Sequence, residues 1–186
     1  MNKPKIRCPQ LEKFYNYAFP MQAVLVTCND ENEKTNIITI AWHCPISKNP
    51  PLYGISVAPG RYSHDLIKKS KEFVVNFLPF DFVEKVNYCG THSGRKFEKI
   101  EHSKLTLIPS KEITTPSIQE SYSILECKLK ESIILGDHTF FVGEVVNISS
   151  DVDAFQDDIL ENKNIQPTFY LGKNIYTTIA QTRKKF

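Results

Sequence analysis

Seven short runs of β-branched and other apolar residues, each bounded by polar turn residues, set the limits on what this chain can fold into. They are PMQAVLVTC (20–28), NIITIAW (36–42), LYGISVA (52–58), EFVVNFL (72–78), KLTLI (104–108), YSILECKL (122–129) and HTFFVGEVVNIS (138–149). Val, Ile, Thr and aromatic side chains fit a pleated surface, so these runs read as strands. Several are apolar at consecutive rather than alternate positions, which predicts a sheet covered on both faces. Helical patterns are fewer. SHDLIKKS (63–70) has Ser63 at the N-cap place, Asp65 in its first turn and lysines in its last, the sense the helix dipole favours. FDFVEKVNYCG (80–90) predicts a second helix stopped by Gly90, and DAFQDDILENK (153–163) a third. No repeat or linker divides the chain. The expectation is one domain over 1–186, mainly β, a closed or split β-barrel with a few short helices plugging its ends.

Charge and composition exclude several classes. A formal net charge of +2 is too small to argue for nucleic acid or an anionic membrane. The TRKKF ending (182–186) reads as a solvated terminus rather than a phosphate-seeking tail. The N-terminal MNKPKIRCPQ has charges and prolines where a signal peptide needs an apolar core, and no run approaches the ~20 apolar residues of a membrane-spanning helix. A cytoplasmic protein is the expectation. Five cysteines, at 8, 28, 44, 89 and 127, form no C-x-x-C pair and no disulfide framework, as in a reducing compartment. Cys89 with His92, and His43 with Cys44, are soft-ligand pairs, but a structural zinc site shows two recognised pairs, so no metal is expected. No G-x-G-x-x-G, P-loop, nucleophile elbow or H-E-x-x-H is present, which speaks against hydrolysis and against a Rossmann nucleotide site.

The positive signal is where arginine stands. Only four of the 23 basic residues are Arg, and two fall in short polar turns, GRYSH (60–64) and HSGRKFEK (92–99). Each joins a guanidinium to serine hydroxyls and turn amides, and the first leads into a helix start. That equipment suits a phosphate, since Arg grips it with paired bonds and helix-start N–H groups favour anions. The plain alternative is a surface arginine beside a capping serine. In TNIITIAWHCPIS (35–47) a strand carrying the only Trp runs into His43, Cys44 and Ser47, groups that suit the rim of a planar aromatic ligand. By composition alone, Trp42 fits a core position better than a ligand platform. GDHTFFVGEV (136–145) poses a further question, because a turn, a carboxylate, an imidazole and a hydroxyl open an otherwise apolar strand. Glu126 and Glu144 stand inside apolar strands with no partner evident in the sequence.

Taken in order, Pro20 to Asp30, Thr35–Asn36–Trp42–Ser47, Pro50–Pro51, Arg61–Ser63, Ser70–Glu72–Asn76, Cys89–Gly90–Ser93–Gly94–Arg95 and Gly136–Val145 resemble the flavin reductase-like family over about residues 15–180. Its flavoredoxin-type members bind FMN in a split β-barrel. The resemblance implies a homodimer with one FMN per subunit near the subunit interface. It places Asn36 and Trp42 along the flavin and ribityl chain, with Ser47 in the same motif. Arg61 and Ser63 would meet the phosphate together with Ser93 and Arg95. Lys99 stands where the family has a lysine after that turn, although the surrounding residues differ. His138 falls at a flavin-contacting histidine that could tune the reduced ring, and Tyr170 at an aromatic covering it. No protein side chain is expected to be a catalytic nucleophile. The activity implied is an FMN-dependent oxidoreductase taking hydride from NAD(P)H and passing electrons to a flavin, ferric iron, quinone, oxygen or redox protein. The alternatives are a flavoredoxin-type electron carrier without NAD(P)H activity and a cofactor-free barrel.

Overall fold

The structure, a computed structural model, describes residues 5, 7 and 9–184; Cys8 and the last two residues of the TRKKF tail lie outside the described residues. Seven strands build the main sheet: β1 (Val24–Asn29), β2 (Thr35–Ile40), β3 (His43–Lys48), β4 (Pro51–Val57), β5 (Glu72–Phe77), β6 (Ser123–Leu135) and β7 (His138–Ser150). Their order is β2-β1-β5-β6-β7-β4-β3, and every neighbouring pair is antiparallel. The two outermost strands, β2 and β3, are consecutive in the chain and joined by Ala41–Trp42 alone. A sheet whose opposite edges are one bent strand must curl on itself. The amide of Ser56 in β4 donates to the Trp42 carbonyl at the bend. The result is the mainly β split barrel that the sequence predicts, with short helices α1 (Tyr62–Ser70), α2 (Val83–Thr91) and α3 (Lys99–Ser103) packed against it.

Continuous apolarity is answered by burial on both faces. All six residues of β1 are buried. Val24, Val26 and Cys28 join one apolar cluster with Ile55, Phe73 and Phe141, while Leu25 turns to the other with Ile37, Leu78, Val86 and Cys89. Each such Val, Leu or Phe contributes roughly 1.5–3 kcal/mol on leaving water.

The structure corrects several boundaries. The helix predicted over 153–163 is a small hairpin, Phe155–Gln156 pairing with Ile159–Leu160. Asp157 and Asp158 form its turn at φ 50° and 62°, a left-handed pair that Asp tolerates and a helix does not. Ser63 is not the cap of α1. Arg61 holds that place in extended backbone, and Ser63 lies inside the first turn. Gly90 does not end α2, which runs to Thr91. The 104–108 run contributes only Leu107–Ile108, paired with Ser117–Ile118. The polar segment after Trp42 is itself a strand, β3, and a C-terminal hairpin, β8 (Phe169–Gly172) and β9 (Ile175–Thr177), closes against Met21–Gln22.

The two unexplained carboxylates now have partners. Glu126, 2% exposed, accepts the amides of Lys111 and Glu112 and the Asn147 side chain, all within 2.9 Å. Glu72 takes Thr114 and Thr115 in the same loop. Glu144 pairs with Lys130 at 2.7 Å across β6 and β7. No helix among the described residues is long and apolar enough to cross a membrane.

Candidate functional site

Two small cavities, about 190 and 110 Å³, share Ile38, Arg61 and Gly90 in their walls and so form one groove along β2. One end is polar and cationic, the other aromatic. The sheet supplies the floor, and the starts and ends of α1 and α2 supply the sides.

At the polar end, Asn36 donates from Nδ2 to Ser63 Oγ at 2.7 Å, and both side chains are buried. The serine oxygen is the acceptor there, and the Cys28 thiol is the other hydrogen-bonding neighbour of its hydroxyl. Lys99 is 6% exposed and donates to the carbonyls of Ile37 and Cys89 at 2.7 and 2.8 Å, leaving one of three ammonium hydrogens. Burial pushes its ammonium below the usual lysine value, and the nearby Arg61 guanidinium acts in the same direction. Two cations this close favour an anion between them. Arg61 lines both cavities, and its side chain makes no hydrogen bond or ion pair among the described residues. Ser93 stands in the opposite wall. Gly94 passes so near Asn36 that a Cβ there would lie 2.0 Å from Oδ1, so only glycine permits this approach.

Arg95 is placed differently. Its guanidinium bonds Asp65 at 2.7 Å and the Gly60 carbonyl at 3.3 Å, and lies over the Tyr62 ring at 5.1 Å. It faces a larger cavity of about 610 Å³ on the outer side of the Asn36–Gly94–Lys99 wall. Arg95 therefore ties the 60–65 turn to the 93–95 turn rather than pointing its charge into the groove.

The aromatic end answers the question raised by the GDHT stretch. Leu135 and His138 pair across a two-residue turn whose Gly136 has φ +64°, a backbone that favours glycine. Asp137 holds His138 Nδ1 at 2.7 Å. A carboxylate only accepts, so Nδ1 carries hydrogen and Nε2 is the nitrogen left for the groove. The imidazole sits 4.9 Å from the Trp42 ring, and both line the cavity. Thr139 turns inward, 2.9 Å from His64 Nε2, anchoring β7 to α1. Every polar group at that strand's mouth has a partner.

Besides Arg95, two expected site residues are not brought to the groove. Ser47 pairs with Leu52 near the far end of the β3–β4 hairpin. Tyr170 in β8 packs on Phe19 and Tyr176 at 5.3 and 5.1 Å. It reaches Trp42 only through Phe19 and Tyr15, in a chain of ring contacts. Conversely, Ser56, Gly90 and His92 line the groove. Gly90 and His92 stand in the Cys89–Arg95 motif, but nothing in the sequence marks Ser56.

The buried thiols are quiet. Burial pushes Cys28 up to about 12 and Cys89 up to about 11, and the described cysteines are all free. Among the described residues no cluster of three or more His, Cys, Asp or Glu side chains is placed to hold a metal ion.

Comparison with known proteins gives a consistent picture. The flavin reductase-like domain family matches residues 16–176. An uncharacterized protein of Archaeoglobus fulgidus is 39% identical over 168 residues, 89% of this chain and 92% of its own. Among solved structures, the FMN-binding protein of Thermus thermophilus with bound 1-cyclohex-2-enone aligns with TM-score 0.81 and 28% identity, covering 100% of this chain and 99% of that one. The flavoredoxin of Methanosarcina acetivorans aligns with TM-score 0.85 and 27% identity, over 98% of this chain and 95% of that one.

Proposed function

This chain belongs to the flavin reductase-like family, and from that premise we propose that its groove holds FMN and that the protein is an NAD(P)H-dependent flavin oxidoreductase. One observation carries the reading: a single groove has the unpaired Arg61 guanidinium, Lys99 and the Ser63 hydroxyl at one end, and Trp42 with His138 at the other. That donor set fits a molecule with a terminal phosphate at one end and a planar polar ring at the other.

In this reading Arg61, Ser63, Ser93 and Lys99 hold the phosphate, with Asn36 positioning Ser63. Trp42 flanks the ring. His138 Nε2, with Nδ1 fixed by Asp137, accepts a ring N–H when neutral and balances negative charge on the ring when protonated. When bound, the flavin supplies the two-electron chemistry, taking hydride from a reduced nicotinamide and passing electrons to an acceptor. The chain contributes placement and electrostatics, so no protein nucleophile is needed. Without a Rossmann motif the nicotinamide is held by stacking and a few polar contacts, and its KM should lie toward the upper part of the common range of roughly 1 μM–1 mM.

A homodimer is part of the proposal. Ile134 and Leu135, 78% and 59% exposed, stand at the β6–β7 tip immediately before the turn that carries His138. A second copy covering that tip would shield the ring end as well. Sedimentation should give a dimer, and an FMN-loaded monomer at micromolar concentration would refute this part.

The test of function is an absorbance spectrum of the purified protein, taken anaerobically before and after NADH or NADPH. Flavin bands that bleach with either nicotinamide, and more slowly in His138→Ala, are the expected result. Bands that bleach with dithionite but with neither nicotinamide would make the protein an electron carrier. A colourless protein that takes up no added FMN would overturn the flavin reading.

A further inference from the structure

Behind Trp42 lies a second cavity that the flavin reading does not use. It measures about 430 Å³ and is walled by Phe14, Tyr15, Met21, Ala41, Trp42 and Pro45, together with Gln22, His43 and Tyr53. Its size falls in the range of small-molecule sites, which are mostly apolar with a few placed polar groups. Trp42 and Ala41 are its only residues in common with the groove, so the indole is a shared wall. No charged side chain lines it, which excludes an anion or a nucleotide.

The polar groups of this cavity have a defined sense. His43 Nε2 lies 2.9 Å from the Gln22 carbonyl and Nδ1 lies 2.6 Å from the Tyr53 hydroxyl. A carbonyl only accepts, so Nε2 carries the ring hydrogen. Burial depresses the His43 pKa, so the imidazole is neutral and Nδ1 is an acceptor. Tyr53, whose hydroxyl burial keeps protonated, therefore directs its O–H at His43. What Tyr53 has left is lone pairs. The Gln22 side-chain amide donates to Tyr122 at 2.7 Å, which leaves its oxygen as a second acceptor.

We propose that this cavity is a binding site for a small uncharged aromatic molecule bearing a hydroxyl donor, a phenol or hydroquinone, whose O–H is received by Tyr53 Oη. The ring lies among Tyr15, Trp42 and Pro45, and the hydroxyl points to the acceptor pair. An ether or ketone of the same shape offers Tyr53 Oη no hydrogen and leaves its lone pairs desolvated without a donor. The inference stands on the cavity alone and does not require the flavin.

The test uses the full chain, as purified and after flavin removal, titrated with p-cresol and with its methyl ether. Binding is read by calorimetry and by the emission of Trp42, the only tryptophan. The expected result is binding of p-cresol about tenfold tighter than the ether, the difference one buried hydrogen bond makes, with a change in Trp42 emission in the flavin-free protein. In Tyr53→Phe the two ligands should bind equally, and a thermal melt establishes that the variant is folded. If that variant does not fold, Tyr15→Ala takes its place and should weaken both ligands alike. Equal affinities in the wild type, failure of p-cresol to bind, a preference that survives in Tyr53→Phe, undiminished binding in Tyr15→Ala, or heat without a change in Trp42 emission would each overturn the proposal. A protein that takes up no FMN yet discriminates the two ligands would refute the flavin reading and leave this one intact.

Discussion

Asn36 Nδ2 donates to Ser63 Oγ across 2.7 Å, tying strand β2 to the first turn of helix α1 at the polar end of the groove. The direction of that bond matters more than its strength. An amide donor makes the serine accept, so its own hydrogen can turn from the weak Cys28 sulfur to a phosphate oxygen. Replacing Asn36 by Asp keeps the shape but reverses the bond and adds a negative charge. FMN affinity should fall about 10–100-fold, while riboflavin, lacking the phosphate, should bind nearly as before. Titration of both flavins followed by fluorescence checks this. Equal losses would place the phosphate elsewhere.

The two turn arginines should separate. Arg61 has no partner and lines the groove, so Arg61→Ala should weaken FMN about 10–100-fold, as expected for a lost charge-assisted hydrogen bond. Arg95 is half-exposed and already paired with Asp65, so Arg95→Ala should cost about 1 kcal/mol of stability or less and change FMN affinity only a few-fold. Dissociation constants and denaturant midpoints for both variants decide it. A larger loss from Arg95→Ala would mean that its ion pair opens on binding.

Stability should depend on His43 in a defined pH window. Its folded-state pKa is depressed by burial, so the unfolded chain binds the extra proton first. The stabilisation from neutral His43 is fully present above the unfolded value of about 6.5 and is lost as pH falls through the lower folded one. The melting temperature should drop between neutral and mildly acidic pH, and the drop should be shallower in His43→Gln. Identical slopes for the two proteins would assign the acid sensitivity to other groups.

The buried Glu126 carboxylate receives three N–H donors, two of them backbone amides of the 111–112 loop. Glu126→Gln keeps the volume but turns an amide donor toward other donors. The expected loss is about 2–4 kcal/mol in denaturant unfolding, with little effect on flavin affinity because the loop lies away from the groove.

The strands were legible because their chemistry is local: β-branched runs bounded by turn residues say strand wherever they occur. Burial of β1 on both faces followed from its unbroken apolarity. The hairpin at 155–160 was not legible as such, because Asp-Asp is charged and spaced like a helix surface until one knows that it turns. Ser63 looked like a cap because capping serines stand one residue before a helix, and the boundary here lies two residues earlier. Among site residues, Asn36, Arg61, Ser63, Ser93, Lys99, Trp42 and His138 line one groove. Arg95 drew the same inference as Arg61 from the same kind of turn. What separates them is Asp65, thirty residues from Arg95 in sequence and 2.7 Å from it in space. Ser47 and Tyr170 stand in recognisable motifs, yet β3 and β8 carry them to other parts of the barrel.

The bend at Ala41–Trp42 joins the two outer strands of the sheet, and it also forms the wall between the groove and the cavity behind it. The seam of the barrel is thus the place where the proposed ligands would sit. A molecule lying against Trp42 on either side acts as a clasp on that seam: its binding free energy adds directly to the resistance of the barrel to being prised apart. Thermal opening and ligand escape become one event seen from two directions, and a tight occupant makes the whole shell slower to come undone.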